Sequence, residues 1–154
     1  MLTWDEFSRL QPMMAEFGAA RFKLGVVYLA TIRADGYPRV HPISAFVGEG
    51  HLYAFMEPTS PKAKDLQRSP HYAMHSLVTD GDGTNGEFHI SGDAVFHTDP
   101  AVRARAVAAC PYNPQDRYIL FEFKLDRALT NEYAGGRPNV ARWRLESQPD
   151  ATKH

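Results

Sequence analysis

Residues 87–97, Glu-Phe-His-Ile-Ser-Gly-Asp-Ala-Val-Phe-His, alternate between apolar and polar positions along their whole length. Phe88, Ile90, Ala94 and Phe96 fall on one side, and His89, Ser91, Asp93 and Val95 on the other. A period of two is the signature of a strand with one covered face. A second alternation runs from Tyr118 to Leu125, with Ile119, Phe121, Phe123 and Leu125 on the inner side. Two such strands require a sheet, and the sheet requires something to cover it.

The remaining segments supply both. Val26 to Ile32 is β-branched and apolar, and predicts a strand buried on both faces. Ala34-Asp-Gly36 is a hairpin turn, and Arg39 to Val47 returns as a second strand. Gly48-Glu-Gly50 turns again into a third strand, His51 to Met56. Tyr72 to Val78 predicts a fourth, and Val140 to Leu145 a short closing one, with 79–86 a polar loop between strands. Helices are few and short. Thr3 and Glu6 have capping-box spacing, with Trp4, Phe7 and Leu10 at helical intervals. Pro12 suits the first turn of a second helix, so residues 1–24 form an N-terminal helical segment. Ser60-Pro61 opens a short helix through Leu66, and Asp99-Pro100 opens another through Ala109. Antiparallel strands with so few helices indicate a barrel or a sandwich.

The chain has 154 residues and one cysteine, Cys110, which suits a single domain over 1–154 without an intrachain disulfide. The lone thiol favours a reducing, cytoplasmic setting. The first residues lack the basic and apolar regions of a signal peptide, and no apolar run is long enough to span a bilayer. With 17 Lys+Arg against 18 Asp+Glu, no general attraction to nucleic acid is expected. Seven histidines raise the question of a metal. His89 and His97 lie too far apart along one strand to share an ion, and His71 and His75 have no carboxylate nearby in sequence, so no metal site is expected. Cys110 has no histidine partner in view, and no serine sits in a nucleophile elbow.

Three stretches carry more specific information. They are Leu29-Ala-Thr-Ile-Arg-Ala-Asp-Gly-Tyr-Pro-Arg-Val-His-Pro-Ile43, Leu52-Tyr-Ala-Phe-Met56, and Thr59-Ser-Pro-Lys-Ala-Lys-Asp-Leu-Gln-Arg-Ser-Pro70. In order and spacing they resemble the pyridoxamine-phosphate-oxidase-like flavin-binding family. There a two-strand hairpin precedes a small helix opening with Ser-x-Lys, then a proline before the next strand. Glu87 to Val95 is similar to that family's strand with a glycine-small-residue step. The resemblance covers roughly residues 25 to 125. It implies an antiparallel split β-barrel, mainly β with short helices, working as a homodimer with FMN between subunits.

The resemblance places the FMN phosphate at Lys62, with Ser60 close by and Arg39 as a basic partner from the second strand. The local chemistry agrees, since a helix start offers free N–H groups and Lys62 a point charge. The same residues also fit a plain helix cap beside a solvated lysine. The isoalloxazine ring is then expected along Arg39, Val40, His41, Pro42, Ile43 and Ser44, with Phe55 and Met56 beside it. Pro42 gives up a ladder donor and so favours an edge strand. His41 fits a flavin contact or a surface position equally. Glu87 falls where the family often has a glutamine reaching FMN across the dimer. Tyr133-Ala-Gly-Gly136 is similar to the segment whose aromatic covers the cofactor, with Arg142 or Arg144 reaching in from the last strand.

One departure bears on the substrate. The family's pyridoxamine-phosphate oxidases carry an arginine–leucine–histidine element near the C-terminus, where this chain reads Arg137-Pro-Asn-Val-Ala-Arg-Trp143. Oxidation of vitamin B6 is therefore not expected. The resemblance implies an oxidoreductase in which FMN performs the electron transfer, with a small-molecule substrate or electron donor and no side chain named as catalytic. Two alternatives use the same barrel. One is a reductase dependent on deazaflavin F420, with Lys64 and Arg68 meeting its acidic tail. The other is a non-enzymatic flavin- or haem-binding protein, with His41 as the haem ligand.

Overall fold

A computed structural model describes residues 1–147; the last seven residues of the expected domain, 148–154, lie outside the described residues. Two helices come first, α1 (Trp4–Leu10) and α2 (Pro12–Phe22). Seven residues are too few for a helix to hold in water by itself. What holds α1 is burial of Trp4 and Phe7, each worth about 1.5–3 kcal/mol as a large apolar side chain removed from water. Half of the capping box forms, with the Glu6 N–H donating to Thr3 Oγ1 at 3.2 Å.

The strands follow as β1 (Val27–Ile32), β2 (Pro38–Ile43), β3 (Phe46–Gly48) and β4 (His51–Met56). After α3 (Pro61–Arg68) come β5 (His71–Ser76) and β6 (Glu87–His97). After α4 (Pro100–Ala109) come β7 (Ile119–Ala134) and β8 (Arg137–Arg144). All pairings are antiparallel, in the order β2-β1-β5-β6-β7-β4-β3, with β8 also on β7. β2 and β3 stand at opposite ends of this order, yet β2 ends at Ile43 and β3 begins at Phe46. Three residues reach at most about 10–11 Å. The two edges must therefore lie close together, and the sheet must curl. This is the split-barrel form implied by the resemblance.

The interior is filled by Val27, Leu29, Met74, Phe88, Ile90, Phe121, Phe123 and Leu125, closed from one end by α1 and α2. A smaller core, with Phe46, Tyr53, Phe55, Leu120 and Ala106, lies beneath α4 on the other side of β4 and β7. Hence β4 is buried at every position from Leu52 to Met56.

Four expectations need correction. β1 is not buried on both faces: Val27 and Leu29 are fully covered, but Tyr28 is 40% exposed, because no element among the described residues covers the outer face there. The second strand does not run unbroken from Arg39 to Val47; it stops at Ile43 so that the chain can cross to the opposite edge. β7 does not end at Leu125 but continues to Ala134, because the register shift opposite Ser91/Gly92 takes Asp126 out of the alternation without ending the ladder. A Cβ on Gly92 would stand 2.1 Å from the Lys124 carbonyl oxygen, so the shift requires glycine. Finally, Phe96 shares the parity of Phe88 and Ile90 but is 40% exposed at the strand's end, touching the ring of Phe121.

Candidate functional site

β2 is an edge strand paired only with β1, so its free side presents backbone N–H and C=O groups without ladder partners. Thr31 and Arg39 face each other across this ladder, and both reach Asp65 on α3. Asp65 is buried. It accepts from Thr31 Oγ1 at 2.8 Å, Arg39 Nε at 2.7 Å and Arg68 Nη2 at 2.8 Å. Burial pushes its pKa up, but the hydrogen bonds from Arg39, Thr31 and Arg68, with the charge of Arg39, outweigh it and hold the carboxyl below the usual aspartate range.

Lys62 lies one turn before Asp65 and is half-buried. Among the described residues its ammonium has no carboxylate partner, since Asp65 is taken up by the two arginines. Burial lowers its pKa. His41 stands next to this charge. Its pKa is lowered by burial, then by Lys62 and Arg39, with Asp65 opposing. The result is a pole of three cations around one carboxylate, on a sheet edge. Ser60 has the extended backbone of an N-cap, but its hydroxyl donates to the Glu57 carbonyl at 2.7 Å and accepts from no N–H of the helix. The first-turn N–H groups of α3 thus receive no side-chain cap.

The structure brings Arg39, His41 and Lys62 together, with Ser60 at the helix start. Val40 and Pro42 are exposed along β2, Ser44 is exposed just beyond its end, and Ile43 points into the core. Phe55 and Met56 are placed differently. They are 7% and 2% exposed, on opposite faces of β4. Phe55 stacks on Phe46 with centroids 6.0 Å apart, and the Arg103 guanidinium stands 5.2 Å from its centroid. Glu87, at the start of β6, accepts from Asn131 Nδ2 at 3.0 Å. Tyr133 sits at the end of β7 with its ring over Gly83 of the 79–86 loop. Arg144 lies on β8, five strand spacings from β2, or roughly 24 Å along the curved sheet. Among the described residues no hydrogen bond or ion pair links Glu87, Tyr133 or Arg144 to the residues of the Lys62 pole.

Other polar residues were not legible from sequence. Asp65 and Thr31 organise the pole with Arg68, and no local pattern marks the first two, while Arg68 was expected only at the acidic tail of F420. His71 does have a carboxylate, Asp93, at 2.6 Å across the β5–β6 ladder, contrary to the expectation. The buried Glu122 bonds His51 Nδ1 at 2.5 Å and His97 Nε2 at 2.8 Å. Among the described residues no three His, Cys, Asp or Glu side chains are placed to hold a metal ion, and no helix is long and apolar enough to cross a membrane.

Solved structures of the same fold are numerous. A NimC/NimA family protein from Clostridium acetobutylicum superposes with a TM-score of 0.66 at 21% identity, covering 94% of this chain and 95% of that one. A pyridoxamine 5'-phosphate oxidase-related, FMN-binding protein from Nostoc punctiforme gives 0.64 at 16% identity, covering 94% and 93%. A haem-binding protein from Mycobacterium smegmatis gives 0.65 at 16% identity over 85% of this chain, which spans only 58% of its length. At these identities the likeness shows the fold alone. No curated protein matches the sequence significantly. Residues 13–127 match the sequence profile described as pyridoxamine 5'-phosphate oxidase. That match takes in β1 to β6, α3 and the whole Lys62 pole, and by it the chain belongs to the pyridoxamine 5'-phosphate oxidase family.

Proposed function

We propose that this protein is an FMN-dependent oxidoreductase of its family, active as a homodimer on a small molecule other than pyridoxamine phosphate. The observation that carries the reading is Lys62: a half-buried ammonium without an anionic partner among the described residues, beside Arg39 and His41 on a free sheet edge. A phosphate dianion fits there. Lys62 and the remaining guanidinium donors of Arg39 would hold it, helped by the uncapped N–H groups of α3. Asp65 positions Arg39 and keeps the pole from carrying more charge than one phosphate offsets. The exposed backbone of Val40 to Ser44 offers donors and acceptors for the polar edge of the flavin. FMN, when bound, supplies the hydride or electron transfer.

The homodimer is supported by the uncovered outer face of the sheet, where Tyr28 and Val40 are 40% and 62% exposed. A partner there would also give Glu87, Tyr133 and Arg144 a way to reach a cofactor they do not approach in their own subunit. The B6 substrate is disfavoured because the stretch 137–143 is a plain strand, β8, without the arginine–leucine–histidine element.

A deazaflavin reading would call on Lys64 and Arg68, but Arg68 is already engaged by Asp65 and by the Ile32 carbonyl. A haem reading draws on the mycobacterial haem-binding structure and on His41, whose pKa is lowered by burial, Lys62 and Arg39, a shift that favours the neutral form that ligates iron. The absorption spectrum of the purified protein, with mass spectrometry of the released chromophore, tests all three. FMN is expected, and a Soret band or a deazaflavin mass would replace the proposal. Dimerisation is tested by ultracentrifugation across protein concentration with and without FMN. Removal of FMN is expected to loosen the dimer.

A further inference from the structure

We infer that association of the two subunits is proton-linked: His89 must be uncharged for the outer face of the sheet to pack against a second copy, so acid loosens the dimer. The inference rests on the homodimer reading above and concerns its regulation. Strand register lays Pro42, Tyr28, His75, His89, Leu129 and Arg142 in one row from β2 to β8. Residues directly opposite in a ladder share a face, so this row crosses the uncovered side of the sheet. The next row runs from Val40 through Ala30, Ala73 and Ser91 to Arg127 and Arg144. The β2 end of both rows is apolar, with Tyr28 and Val40 exposed. The β8 end is cationic. There Arg127, Arg142 and Arg144 line a hollow of about 430 Å³ with His89 and Ser91, while Trp143 turns to the other face and packs on Phe7, centroids 5.1 Å apart.

Two imidazoles stand where these halves meet. His75 and His89 face each other across the β5–β6 ladder, with ring centroids 6.3 Å apart. His75 Nδ1 lies 2.6 Å from the Ser76 carbonyl and donates to it. The charged groups around the pair leave His89 without a counter-ion. On β5, His71 is bound to Asp93 of β6 at 2.6 Å. Glu87, the other carboxylate on this face of β6, accepts from Asn131 Nδ2. In the 79–86 loop Asp80 accepts from the N–H groups of Asp82 and Thr84. β1 presents the Tyr28 phenol, and β7 and β8 present Lys124, Arg127, Arg142 and Arg144. Among the described residues no carboxylate is hydrogen-bonded to either imidazole of the pair. A proton on His89 is thus placed between a second imidazole and a group of guanidinium ions. Burial, and then His75, lowers its pKa already in the single subunit.

A second copy laid over this face removes more water from His89 and disfavours its charged form further. The dimer then binds fewer protons than two free subunits. Association is therefore full above the pKa that His89 has in the free subunit, and it weakens as pH falls through that value. The arginines keep their charge at every pH the protein meets and set a constant background. His89 is the member of the face whose charge changes. A two-fold interface presents it twice, so one proton taken up per subunit changes the dimer dissociation constant by up to about 100-fold per pH unit.

Sedimentation velocity of the FMN-loaded protein over a range of concentrations, from about pH 7.5 down to about pH 5.5, reads the effect. The dissociation constant of the parent dimer is expected to rise at least about tenfold in acid. His89→Gln keeps a polar side chain that takes up no proton, and its constant is expected to change less than about threefold. His75→Gln removes the neighbour that opposes the charge on His89, so its dimer is expected to loosen at higher pH than the parent's. A purely structural role for His75 does not move that midpoint. A parent dimer that holds equally across the range, or equal acid weakening in parent and His89→Gln, overturns the inference and leaves the homodimer standing. If His89→Gln does not associate even at neutral pH, the His75→Gln profile decides, and a midpoint that fails to rise overturns the linkage. A monomer at every concentration and pH overturns the homodimer reading itself, and the linkage with it.

Discussion

The two cationic regions of this protein are built on opposite principles. At the β2–α3 pole a buried carboxylate, Asp65, gathers two arginines and leaves one lysine without a partner. At the β7–β8 hollow three arginines stand on a ladder with no carboxylate among them. The pole is internally compensated, and its geometry is set before any ligand arrives. The hollow rests on backbone pairing and on Trp143, and among the described residues no ion pair offsets its charges. Charge surplus alone therefore says little about how a site is organised.

The sharpest way to break this contrast is Asp65→Ala. Removing one partner of a buried ion pair is costly, but Arg39 and Arg68 keep 30% and 44% of their side-chain surface, so water screens what is left behind. We expect a loss of about 2–3 kcal/mol at neutral pH, read by urea denaturation. The pH dependence has a definite sign. The folded pKa of Asp65 is depressed, so its stabilisation is full above the unfolded value and is lost as pH falls through the folded one. The variant should lose less stability in that acid window than the parent; parallel acid curves would contradict the anchoring role.

Next in size is Lys62→Ala. Loss of a charge-assisted phosphate contact is expected to weaken FMN binding by about 1.5–3 kcal/mol, measured by fluorescence titration. Unchanged affinity would remove Lys62 from the site. A subtler effect is expected at His41. A bound phosphate offsets the field of Lys62 and Arg39, so the His41 pKa should rise when FMN binds, though only in part, because burial is the larger cause. An NMR titration of the imidazole with and without FMN reads this, and a further fall would contradict the placement of the phosphate. The smallest effect belongs to the hollow. Arg127→Gln should leave stability unchanged or raise it by up to ~0.5 kcal/mol, since it removes a like-charge pair. A clear loss in thermal melts would mean that Arg127 holds the ladder.

The comparison also separates what a sequence displays from what it conceals. The strands show because alternation is local, and the Ser60-x-Lys62 helix start shows because its residues are consecutive. Asp65 does not, since its partners Thr31 and Arg39 lie 34 and 26 positions away on other elements. The second half of β7 was hidden by the bulge, which shifts the apolar parity beyond Asp126. Without that half, nothing pairs Arg127 with Arg144, and the hollow cannot be seen at all. Phe55 illustrates the opposite error. Its place on a strand was legible, but the face it occupies depends on α4, which follows some forty residues later.

The short link between β2 and β3 has a consequence for the order of assembly on the ribosome. The first four strands are made early but form only two hairpins that do not pair with each other. β4 must wait for Ile119 to Glu122, its partners on β7. At ordinary rates of synthesis that delay is on the order of several seconds. Throughout it the run Leu52-Tyr-Ala-Phe-Met56, apolar on both faces in the finished protein, has a bare edge and nothing to cover it. The β3–β4 hairpin is thus a segment of the nascent chain in need of a chaperone, and it is released from that need only when the second half of the chain arrives.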